Sequence, residues 1–289
     1  MNGNLNSTNA PSVGPDFVLT EKDFSKIRAL IHQHAGIALG DQKRQMVYSR
    51  LARRLRKLGL KEFSAYLRFL EADPNGQEWQ QFVNALTTNL TSFFRESHHF
   101  PVLAEHVRNC PQPVTVWCSA ASTGEEPYSI AMTLIEALGK RADTASVLAT
   151  DIDTHVLEAA SEGVFSIEQA SKLTPERLKR FFFRGAGAQA GKMRIRPEVS
   201  TMVRFQRLNL LDPYWVLAEP FDAIFCRNVM IYFDKSTQER ILQRFAPLVK
   251  RHGLLFAGHS ENFSFANQTF RLRGKTVYEL ASSQTRATE

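Results

Sequence analysis

Small and acidic side chains follow two apolar segments of the chain at the points where those segments end. The first segment, VTVWC, leads into SAASTGEE at 119–126, and the second, ASVLAT, leads into Asp151. In an open α/β sheet, ligands bind outside the carboxyl ends of the strands. Small residues let a ligand approach the backbone, and a carboxylate at the second strand end is suited to bind ribose hydroxyls. The pattern predicts an adenosine-containing cofactor.

The turn after the first segment discriminates between cofactors. A dinucleotide site needs GxGxxG there, whereas this turn has Gly124 alone, followed by Glu125 and Glu126, which would repel a phosphate. The same carboxylates suit a ligand with ammonium and sulfonium groups, because a nearby opposite charge stabilises a cation in a partly dry pocket. The glycines of GAGAQAG at 185–191 have GxGxxxG spacing and no helix after them, which disfavours a nucleotide loop. These residues favour S-adenosylmethionine.

A second polar cluster lies at 84–100, NALTTNLTSFFRESHHF, between two differently patterned parts of the chain. Its hydroxyl and amide groups are suited either to bind a small polar ligand or to cap helices and stabilise a linker. The histidines at 98, 99 and 259 are candidates for catalysis or for structural roles, and the sequence leaves both open. The chain contains no Walker motif, no HExxH and no serine nucleophile elbow.

The elements that must position these residues alternate after about residue 112. Strands are predicted at 114–120, 145–153, 221–228, 253–261 and 275–281, with helices over EPYSIAMTLIEALG and STQERILQRFAPLVK. This order predicts an α/β fold with a doubly wound, mostly parallel sheet. The segment at about 163–203 breaks the rhythm. Its Met193 and Ile195 alternate with arginines after a glycine-rich turn, which predicts a small insertion that carries a β-hairpin.

The part of the chain before residue 87 has a helical pattern. Thr20 and Asp23 predict a capping box, and Gly36 predicts the end of the first helix. The next helical segment carries a basic arc formed by Lys43, Arg50, Arg53, Arg54 and Lys57, with no acidic residue between Gln42 and Lys61. We interpret the arc as a docking surface for an acidic partner, the alternative being a solvated helix face that aids solubility.

Length and composition set the domain plan. The chain has 289 residues, 43% apolar and 22% charged, with net charge +7 and a pI near 9.4, which is typical of a globular protein with acidic partners. We predict a disordered tail at 1–16, a helical domain at 17–86, a linker at 87–111, and a catalytic domain at 112–284. Without a signal peptide or an apolar span, we expect a cytoplasmic protein. Its three cysteines are expected to be buried apolar residues.

Five segments carry a resemblance to a known family. ALTTNLTSFFRE, SAASTGEEPYS, ATDID, FDAIFCRNVMIYF and LLFAGHSENF resemble the signature blocks of the chemotaxis receptor methyltransferase (CheR) family, in the same order, and the similarity extends from about residue 17 to 281. The resemblance implies a class I S-adenosylmethionine-dependent methyltransferase fold. It also implies methyl transfer to glutamate carboxylates on the cytoplasmic helices of chemoreceptors, with S-adenosylhomocysteine as the product and recruitment to membrane receptor arrays.

The resemblance also assigns roles to residues. Arg95 and Tyr232 are expected near the reacting centre. The resemblance also implies that the linker at 87–111 contributes to the cofactor pocket. The expected cofactor contacts are Asn89, Thr91, Arg95, Glu126, Asp151, Asn209, Leu210, Arg227 and Asn228. The insertion at about 163–203 resembles the inserted antiparallel β-subdomain of the family. In some members this subdomain captures the C-terminal peptide of the receptor, and the corresponding positions here are Arg184, Gly185, Gly187, Gly191 and Arg194.

Two rival functions remain open from the residues. A nucleic-acid methyltransferase would share the cofactor site and a basic surface, although the chain lacks an Asn/Asp-Pro-Pro-Tyr/Phe motif and a cysteine nucleophile. A catalytically inactive receptor adaptor is the second rival, disfavoured because the expected polar positions at the strand ends are filled. We expect a monomer that binds neither metal nor nucleic acid.

Overall fold

The computed structural model describes residues 17–217 and 220–281. The predicted tail at 1–16 and the last three residues of the predicted 112–284 domain lie outside the described residues. The chain forms two compact units. Of the described residues, the first unit holds 17–30 and Leu39–Leu86, and the second holds Ile31–Ala38, 87–217 and 220–281.

The first unit is built from helices, whose bounds are α1 Glu21–Ala35, α2 Arg44–Leu58, α3 Phe63–Ala72 and α4 Gln77–Leu86. The predicted capping box is present, because the Asp23 amide donates to Thr20 Oγ1 at 3.1 Å and the Thr20 amide donates to the Asp23 carboxylate at 3.3 Å. α1 ends before Gly36, which has φ +69°. Its last residues, from Ile31, belong to the second unit.

α2 buries one apolar stripe, formed by Val47, Leu51 and Leu55. Side chains three to four residues apart share a helix face, which explains why this stripe forms the inner face. A 3₁₀ turn at Asp41–Lys43 directly precedes α2.

The second unit contains all the described strands, with bounds β1 Thr115–Cys118, β2 Ser146–Asp151, β3 Val164–Ser166, β4 Phe182–Arg184, β5 Lys192–Ile195, β6 Val203–Arg207, β7 Phe221–Cys226, β8 Val249–Ala257, β9 Phe270–Gly274 and β10 Val277–Leu280. Seven of them form one sheet in the order β6-β2-β1-β7-β8-β10-β9. The first five are parallel, and β10 runs antiparallel to both β8 and β9. The predicted fold class is confirmed.

Apolar residues alternate between the two faces of the large sheet. On β1, Val116 and Cys118 join one buried cluster, and Trp117 joins the other. The helices of this unit are α5 His99–Arg108, α6 Glu125–Leu138, α7 Thr154–Glu162, α8 Pro175–Phe181, α9 Pro197–Ser200 and α10 Lys235–Phe245. Buried residues of α5 and α6 belong to the first cluster and those of α10 to the second. The sheet is therefore covered on both faces, which leaves its carboxyl edge to carry polar residues.

The inserted β-subdomain is a three-stranded antiparallel sheet in the order β3-β5-β4. Met193 and Ile195 of β5 are buried while Arg194 is exposed, as the alternation predicts. The sequence did not identify β6 and β9, because their charged residues mask the apolar pattern. Cys118 and Cys226 are buried as expected, whereas Cys110 is half-buried. No helix in the described part of the chain is long and apolar enough to cross a bilayer.

Candidate functional site

The turn after β1 is held against the end of β2 by the Asp151 carboxylate. The Ser122 amide donates to Asp151 Oδ2 at 2.8 Å, and the Asp153 amide donates to Oδ1 at 3.0 Å. Asp151 is buried, and burial raises its pKa to about 6 although these amides oppose the shift. The two carboxylate oxygens together offer about four acceptor sites, so the carboxylate can accept a further donor. Asp151 is therefore an ionised acceptor at neutral pH with capacity for ribose hydroxyls.

The linker after Thr87 is fixed to the same strand ends by Asp153. The Thr87 hydroxyl donates to Asp153 Oδ2 at 2.6 Å, and the Asn89 amide donates to the same oxygen at 2.8 Å. The other oxygen, Oδ1, caps α7 by accepting the His155 amide at 3.0 Å. Ser122 Oγ donates to the Asn89 carbonyl at 2.9 Å. Thr87 and Asn89 of the polar cluster thus make structural hydrogen bonds, and Ser122 connects Asn89 to Asp151.

A buried arginine connects the ends of β1 and β7. Arg227 follows β7, and its Nη1 donates to Glu126 Oε2 at 2.9 Å, at the first turn of α6. Its Nη2 donates to the carbonyl of Arg95 and lies 3.4 Å from Glu96 Oε2. Burial raises the pKa of Glu126, while the charge of Arg227 opposes this shift. One guanidinium therefore balances two carboxylates from separate elements.

Glu96 is the most connected acid of this ion cluster, which we define as Glu96, Glu126 and Arg227. It accepts hydrogen bonds from His259 Nδ1 at 3.0 Å and from the Asn228 amide at 3.2 Å. Burial favours protonation, but the His259 hydrogen bond and the charge of Arg227 outweigh it and lower the pKa of Glu96 to about 2. Glu96 is therefore a permanent anion at physiological pH.

Two buried polar atoms of the ion cluster have no hydrogen-bond partner within the described chain: Glu96 Oε2 and Arg227 Nε. Buried polar groups are otherwise almost always paired, so unpaired groups in a native structure call for an explanation. A cofactor with an ammonium, a carboxylate and hydroxyl groups fits this set of residues, because carboxylates are available for its cations and a buried N–H is available for its anion. The residues present therefore fit S-adenosylmethionine.

The loop after β7 is held by Glu261. This buried carboxylate accepts four backbone amides, from Asn228 at 3.0 Å, Val229 at 2.9 Å, Met230 at 2.8 Å and Gly258 at 2.5 Å. Burial raises the pKa of Glu261, and the four amides oppose that shift. Such a cage of N–H groups fixes the backbone that links the cofactor-contact candidates Arg227 and Asn228 to the turn containing Tyr232.

Strained backbone concentrates around this site. Within the described chain six non-glycine residues have positive φ, namely Phe94, Glu96, Ser122, Asn228, Lys275 and Thr276. Four of them belong to the linker, the turn after β1 or the loop after β7. The last two form the two-residue turn between β9 and β10, where a positive φ is ordinary. Such a conformation costs about 1–3 kcal/mol per residue and persists only where neighbouring contacts enforce it. This strain indicates a functional site.

The two residues expected near the reacting centre differ in how they are held. Arg95 Nη1 donates to the Leu90 carbonyl at 2.8 Å, so its guanidinium is oriented within the linker. Tyr232 is half-buried in the 3₁₀ turn Met230–Tyr232, and its carbonyl accepts the Ala38 amide at 3.1 Å. Its phenol makes no hydrogen bond to a described residue. The position of the phenol therefore depends on the backbone of the turn.

The remaining expected cofactor contacts lie at the ends of β6 and in the linker. Asn209 is buried, and its amide donates to the His34 carbonyl at 2.9 Å while its Oδ1 accepts the Leu211 amide at 3.0 Å. Leu210 is buried and Thr91 is half-buried. Asn209 therefore has a structural role in the loop after β6, and this role leaves its carboxamide largely committed within the protein.

The structure thus groups five of the expected contacts into two hydrogen-bonded networks. Asn89 and Asp151 are linked through Ser122 and Asp153. Glu126, Arg227 and Asn228 are linked through Glu96, and Arg227 also binds the Arg95 carbonyl. Sequence reasoning missed three of those partners: Glu96, Asp153 and Glu261. Asp153 had a detectable signal, because an aspartate just before a helical segment is a strong N-cap candidate. Glu96 and Glu261 had none beyond lying inside conspicuous motifs, since their partners are distant in sequence.

The basic arc of α2 is less uniform than the sequence suggested. Arg54 is only 14% exposed and forms a bidentate pair with Glu78 of α4, at 2.9 Å and 2.5 Å. Arg50 Nη1 donates to the Ala85 carbonyl at 3.3 Å. The expectation of a continuous face without acidic partners is wrong for Arg54, because its partner comes from another helix rather than from α2. The exposed members are Lys43, Arg53 and Lys57.

The glycines of the β-subdomain have local structural reasons. A Cβ on Gly185 would lie 2.0 Å from the Gln189 carbonyl oxygen, so a side chain cannot be accommodated there. Gly187 and Gly191 have φ +57° and +87°, which favours glycine. Arg184 and Arg194 are exposed on β4 and β5. The turn geometry explains the glycines without a ligand, and the arginines remain available to one.

One group of side chains has metal-ligating atoms close together. Those of Glu96, His98 and His99 lie within 4.8 Å of one another. The positive charge of Arg227, which lies 3.4 Å from Glu96, opposes a cation there. Burial and the charge of Arg227 together lower the pKa of His99 to about 4. The absence of a metal remains a prediction.

Two family models match the chain. The CheR methyltransferase all-alpha domain matches residues 22–87, and the CheR methyltransferase S-adenosylmethionine-binding domain matches residues 89–279. The second match covers every element of the carboxyl-edge site. Together with the parallel sheet and its acidic strand ends, this defines the protein as an S-adenosylmethionine-dependent methyltransferase.

Several known proteins are similar to this chain over nearly its whole length. A chemotaxis protein methyltransferase of Klebsiella aerogenes is 59% identical over 266 residues, which cover 92% of each chain. The Escherichia coli chemotaxis protein methyltransferase is 56% identical over 263 residues, covering 91% of this chain and 92% of that one. Chemotaxis protein methyltransferase 2 of Pseudomonas aeruginosa is 50% identical, covering 95% and 99%. The chain belongs to the CheR methyltransferase family.

Proposed function

We propose that the protein transfers the methyl group of S-adenosylmethionine to the γ-carboxylate of glutamates on cytoplasmic helices of chemoreceptors, forming glutamyl methyl esters in sensory adaptation. The observation that carries the proposal is the set of acidic strand ends, Glu126 and Asp151, inside a chain that matches the CheR cofactor-binding model over residues 89–279. The relatives named as chemotaxis methyltransferases support the receptor substrate.

In this proposal the residues at the carboxyl edge hold the cofactor. Asp151 accepts hydrogen bonds from the ribose hydroxyls, and the Glu126 carboxylate faces the ammonium group. Arg227 Nε, buried and without a partner in the described chain, donates to the carboxylate of the cofactor. The remaining proposed contacts are Asn89, Thr91, Asn209, Leu210 and Asn228. When bound, S-adenosylmethionine supplies an electrophilic methyl group.

The proposed reaction needs no general base. A glutamate side chain has a pKa of about 4.3, so the substrate is already a carboxylate at neutral pH and attacks in line. Correct placement then dominates, and orientation alone contributes on the order of 7–11 kcal/mol in well-aligned systems. Arg95 binds one oxygen of the substrate carboxylate and leaves the other free to attack, while the Tyr232 phenol orients the reacting pair.

The test is transfer of radiolabelled methyl from S-adenosylmethionine to chemoreceptor membranes, followed by mild alkali and capture of volatile methanol. We expect base-labile label on receptors, lost when the receptor glutamates are replaced by alanine. Tyr232→Phe should lower kcat while leaving the affinity for S-adenosylhomocysteine within about twofold, because the phenol is proposed to act on the reacting groups.

Two results would reject the proposed function. Alkali-stable label on RNA or DNA, with none on receptors, would assign the enzyme to nucleic-acid methylation. Receptor binding without measurable affinity for S-adenosylhomocysteine would make the protein an inactive adaptor. The exposed Glu239→Gln variant on α10 serves as the control for mutagenesis, because Glu239 lies in none of the proposed sites.

The exposed part of the basic arc is proposed to dock the acidic methylation region of the receptor. Lys43, Arg53 and Lys57 have no acidic partner on α2, so they present an uncompensated positive charge to solvent. Exposed charges act mainly on the association rate. Arg50 and Arg54 contribute less in this proposal, because their guanidinium groups are already bound within the first unit.

The β-subdomain is proposed to capture the C-terminal peptide of the receptor. β4 is an edge strand of the small sheet, and Phe183 and Arg194 are cross-strand neighbours that are both exposed. A peptide strand added to β4 would gain main-chain hydrogen bonds. Arg184 or Arg194 would bind the C-terminal carboxylate of that peptide. The adjoining turn is shaped by Gly185, Gly187 and Gly191. Such a tether raises the local concentration of methylation sites to about the mM range and recruits the enzyme to receptor arrays.

The tether is tested with receptors that lack their last residues. Arg194→Ala should raise KM for intact receptors and leave KM for truncated receptors unchanged, because only the intact receptor carries the captured peptide. Arg204→Ala, an exposed arginine on β6 outside the subdomain, is the matched control. An equal effect of Arg194→Ala on both receptor forms would contradict the tether.

A further inference from the structure

Residues Ile31–Ala38 belong to the catalytic unit although they lie far from it in sequence. The all-alpha family model includes them in its match at 22–87, whereas the structure groups them with the chain from Thr87 onward. Ile31 and Ala35 are buried, with exposures of 0% and 3%. This short segment, from the last turn of α1 to Ala38, is therefore packed as part of the unit that contains the cofactor site.

The segment contacts both loops that carry proposed site residues. The His34 carbonyl accepts the Asn209 amide at 2.9 Å, and the Ala38 amide donates to the Tyr232 carbonyl at 3.1 Å. Between them, Gly36 is so close to both loops that a Cβ there would lie 2.7 Å from the Phe233 ring of the second loop and 2.9 Å from the Leu211 side chain of the first. The segment thus contacts the two loops through the backbone of every second residue, His34, Gly36 and Ala38.

Tyr232 depends on this support, because its phenol has no hydrogen bond to a described residue. The turn that carries it is fixed at its start by the Glu261 cage, which reaches as far as Met230. Beyond Met230, the Tyr232 carbonyl accepts the Ala38 amide, and the ring of Phe233 packs against Gly36. The two supports therefore hold opposite ends of the same turn.

We propose that the segment His34–Ala38 is a positioning element for Tyr232, and so a functional part of the methyl-transfer site. The inference rests on the proposed role of Tyr232 at the reacting centre. It follows that disturbing Gly36 displaces the phenol and lowers kcat, while the cofactor, held by the acidic strand ends, is retained. A displacement on the order of 1 Å at a reacting group lowers rates by up to about a hundredfold.

The test is Gly36→Ala, with Gly59→Ala as the matched control. Both glycines end a helix and have nearly the same backbone conformation, with φ +69° and +66°, so alanine imposes the same strain on each. A Cβ at Gly59 meets nothing within 4 Å, whereas at Gly36 it meets Phe233 and Leu211. We expect Gly36→Ala to lower kcat by about tenfold to a hundredfold, and Gly59→Ala to leave kcat within about twofold. The dissociation constant of S-adenosylhomocysteine should stay within about threefold in both variants.

A double-mutant cycle separates positioning from simple destabilisation. If Gly36 acts through the phenol, Gly36→Ala should lower kcat in the wild type but produce no further loss in a Tyr232→Phe background. Phe233→Leu, which removes the ring atoms facing Gly36 without adding bulk, is a second variant and should likewise lower kcat only when the phenol is present. Equal losses with and without the phenol, for either variant, would overturn the inference.

The same experiment distinguishes failure of the inference from failure of the proposed function. Absence of receptor methylation by the wild-type enzyme would reject the function, whatever the variants do. Active wild type, with Gly36→Ala indistinguishable from Gly59→Ala in kcat, would reject the positioning role and leave the function in place.

Discussion

Glu261 offers the sharpest test of how the site is held together, through the substitution Glu261→Gln. Each carboxylate oxygen accepts two backbone amides, Oε1 from Val229 and Met230 and Oε2 from Asn228 and Gly258. A glutamine retains one acceptor oxygen and turns its NH₂ group toward the other two N–H donors. Two charge-assisted hydrogen bonds are lost whichever way the amide is oriented.

The magnitude follows from the buried geometry. Hydrogen bonds to a charged group contribute about 1.5–3 kcal/mol each, and a buried donor left unpaired costs a further ~1–3 kcal/mol. Removing a buried charge offsets part of this loss, since burial raises the pKa of Glu261 and the ionised form is itself costly to bury. We expect a net loss of about 3 kcal/mol in the free energy of unfolding of the catalytic unit, or a melting temperature lower by about 6–12 °C.

The functional consequence is measured separately. Because the Glu261 cage holds the backbone at Asn228 beside Arg227, we expect the dissociation constant of S-adenosylhomocysteine to rise by about tenfold or more in calorimetry at 15 °C. Glu239→Gln makes the same chemical change at an exposed position and should change neither quantity. A shift within about 2 °C of the wild type is typical of surface substitutions. If Glu261→Gln shows so small a shift, the Glu261 carboxylate does not hold the loop and the reasoning fails.

Three further predictions concern the carboxyl edge and the basic surface. Cofactor affinity should fall by about tenfold between pH 7 and pH 5 in calorimetry, because the pKa of Asp151 is about 6 and a protonated carboxyl loses an acceptor site. The folded-state pKa of Asp151 lies above its unfolded value of 3.8, so protonation of this group stabilises the folded state as pH falls from 6 to 4. If the melting temperature falls together with the affinity, the loss of affinity comes from unfolding and the assignment to Asp151 is contradicted. Asp153→Asn should lower cofactor affinity several-fold, because one oxygen holds both Thr87 and Asn89; unchanged affinity would show that the linker does not shape the pocket. Charge reversal at Lys57 should slow receptor association at low salt and have no effect at 0.5 M salt, whereas Lys22→Glu on α1 of the same unit should be neutral in stopped-flow measurements.

The sheet was predictable because each buried strand has a recognisable apolar pattern in its own local sequence. Val116, Ala223 and Leu254 lie in continuous apolar runs, and a parallel sheet covered on both faces requires such runs. β6 and β9 escaped prediction because edge or outer strands carry charged residues that break the pattern. The acidic strand ends were also predictable, since the strand pattern fixes where the carboxyl edge must be.

The support of the site was not predictable, because it depends on pairs far apart in sequence. Glu96 pairs with Asn228 and His259, Glu261 binds backbone amides about thirty residues earlier, and Arg54 finds its acid on another helix. No local pattern encodes such partners, since a carboxylate in a loop has the same signature whether it caps a helix, holds a loop or faces solvent.

The sequence by itself determined the classes of element, the mostly parallel sheet, the acidic strand ends and membership of a methyltransferase family. These follow from periodicity and motif, which are properties of neighbouring residues. Only the tertiary structure decided that a short segment at the end of α1 belongs to the catalytic unit and supports the turn of Tyr232. The physical reason is that packing and buried hydrogen bonds are satisfied in space, where residues distant along the chain become the nearest available partners.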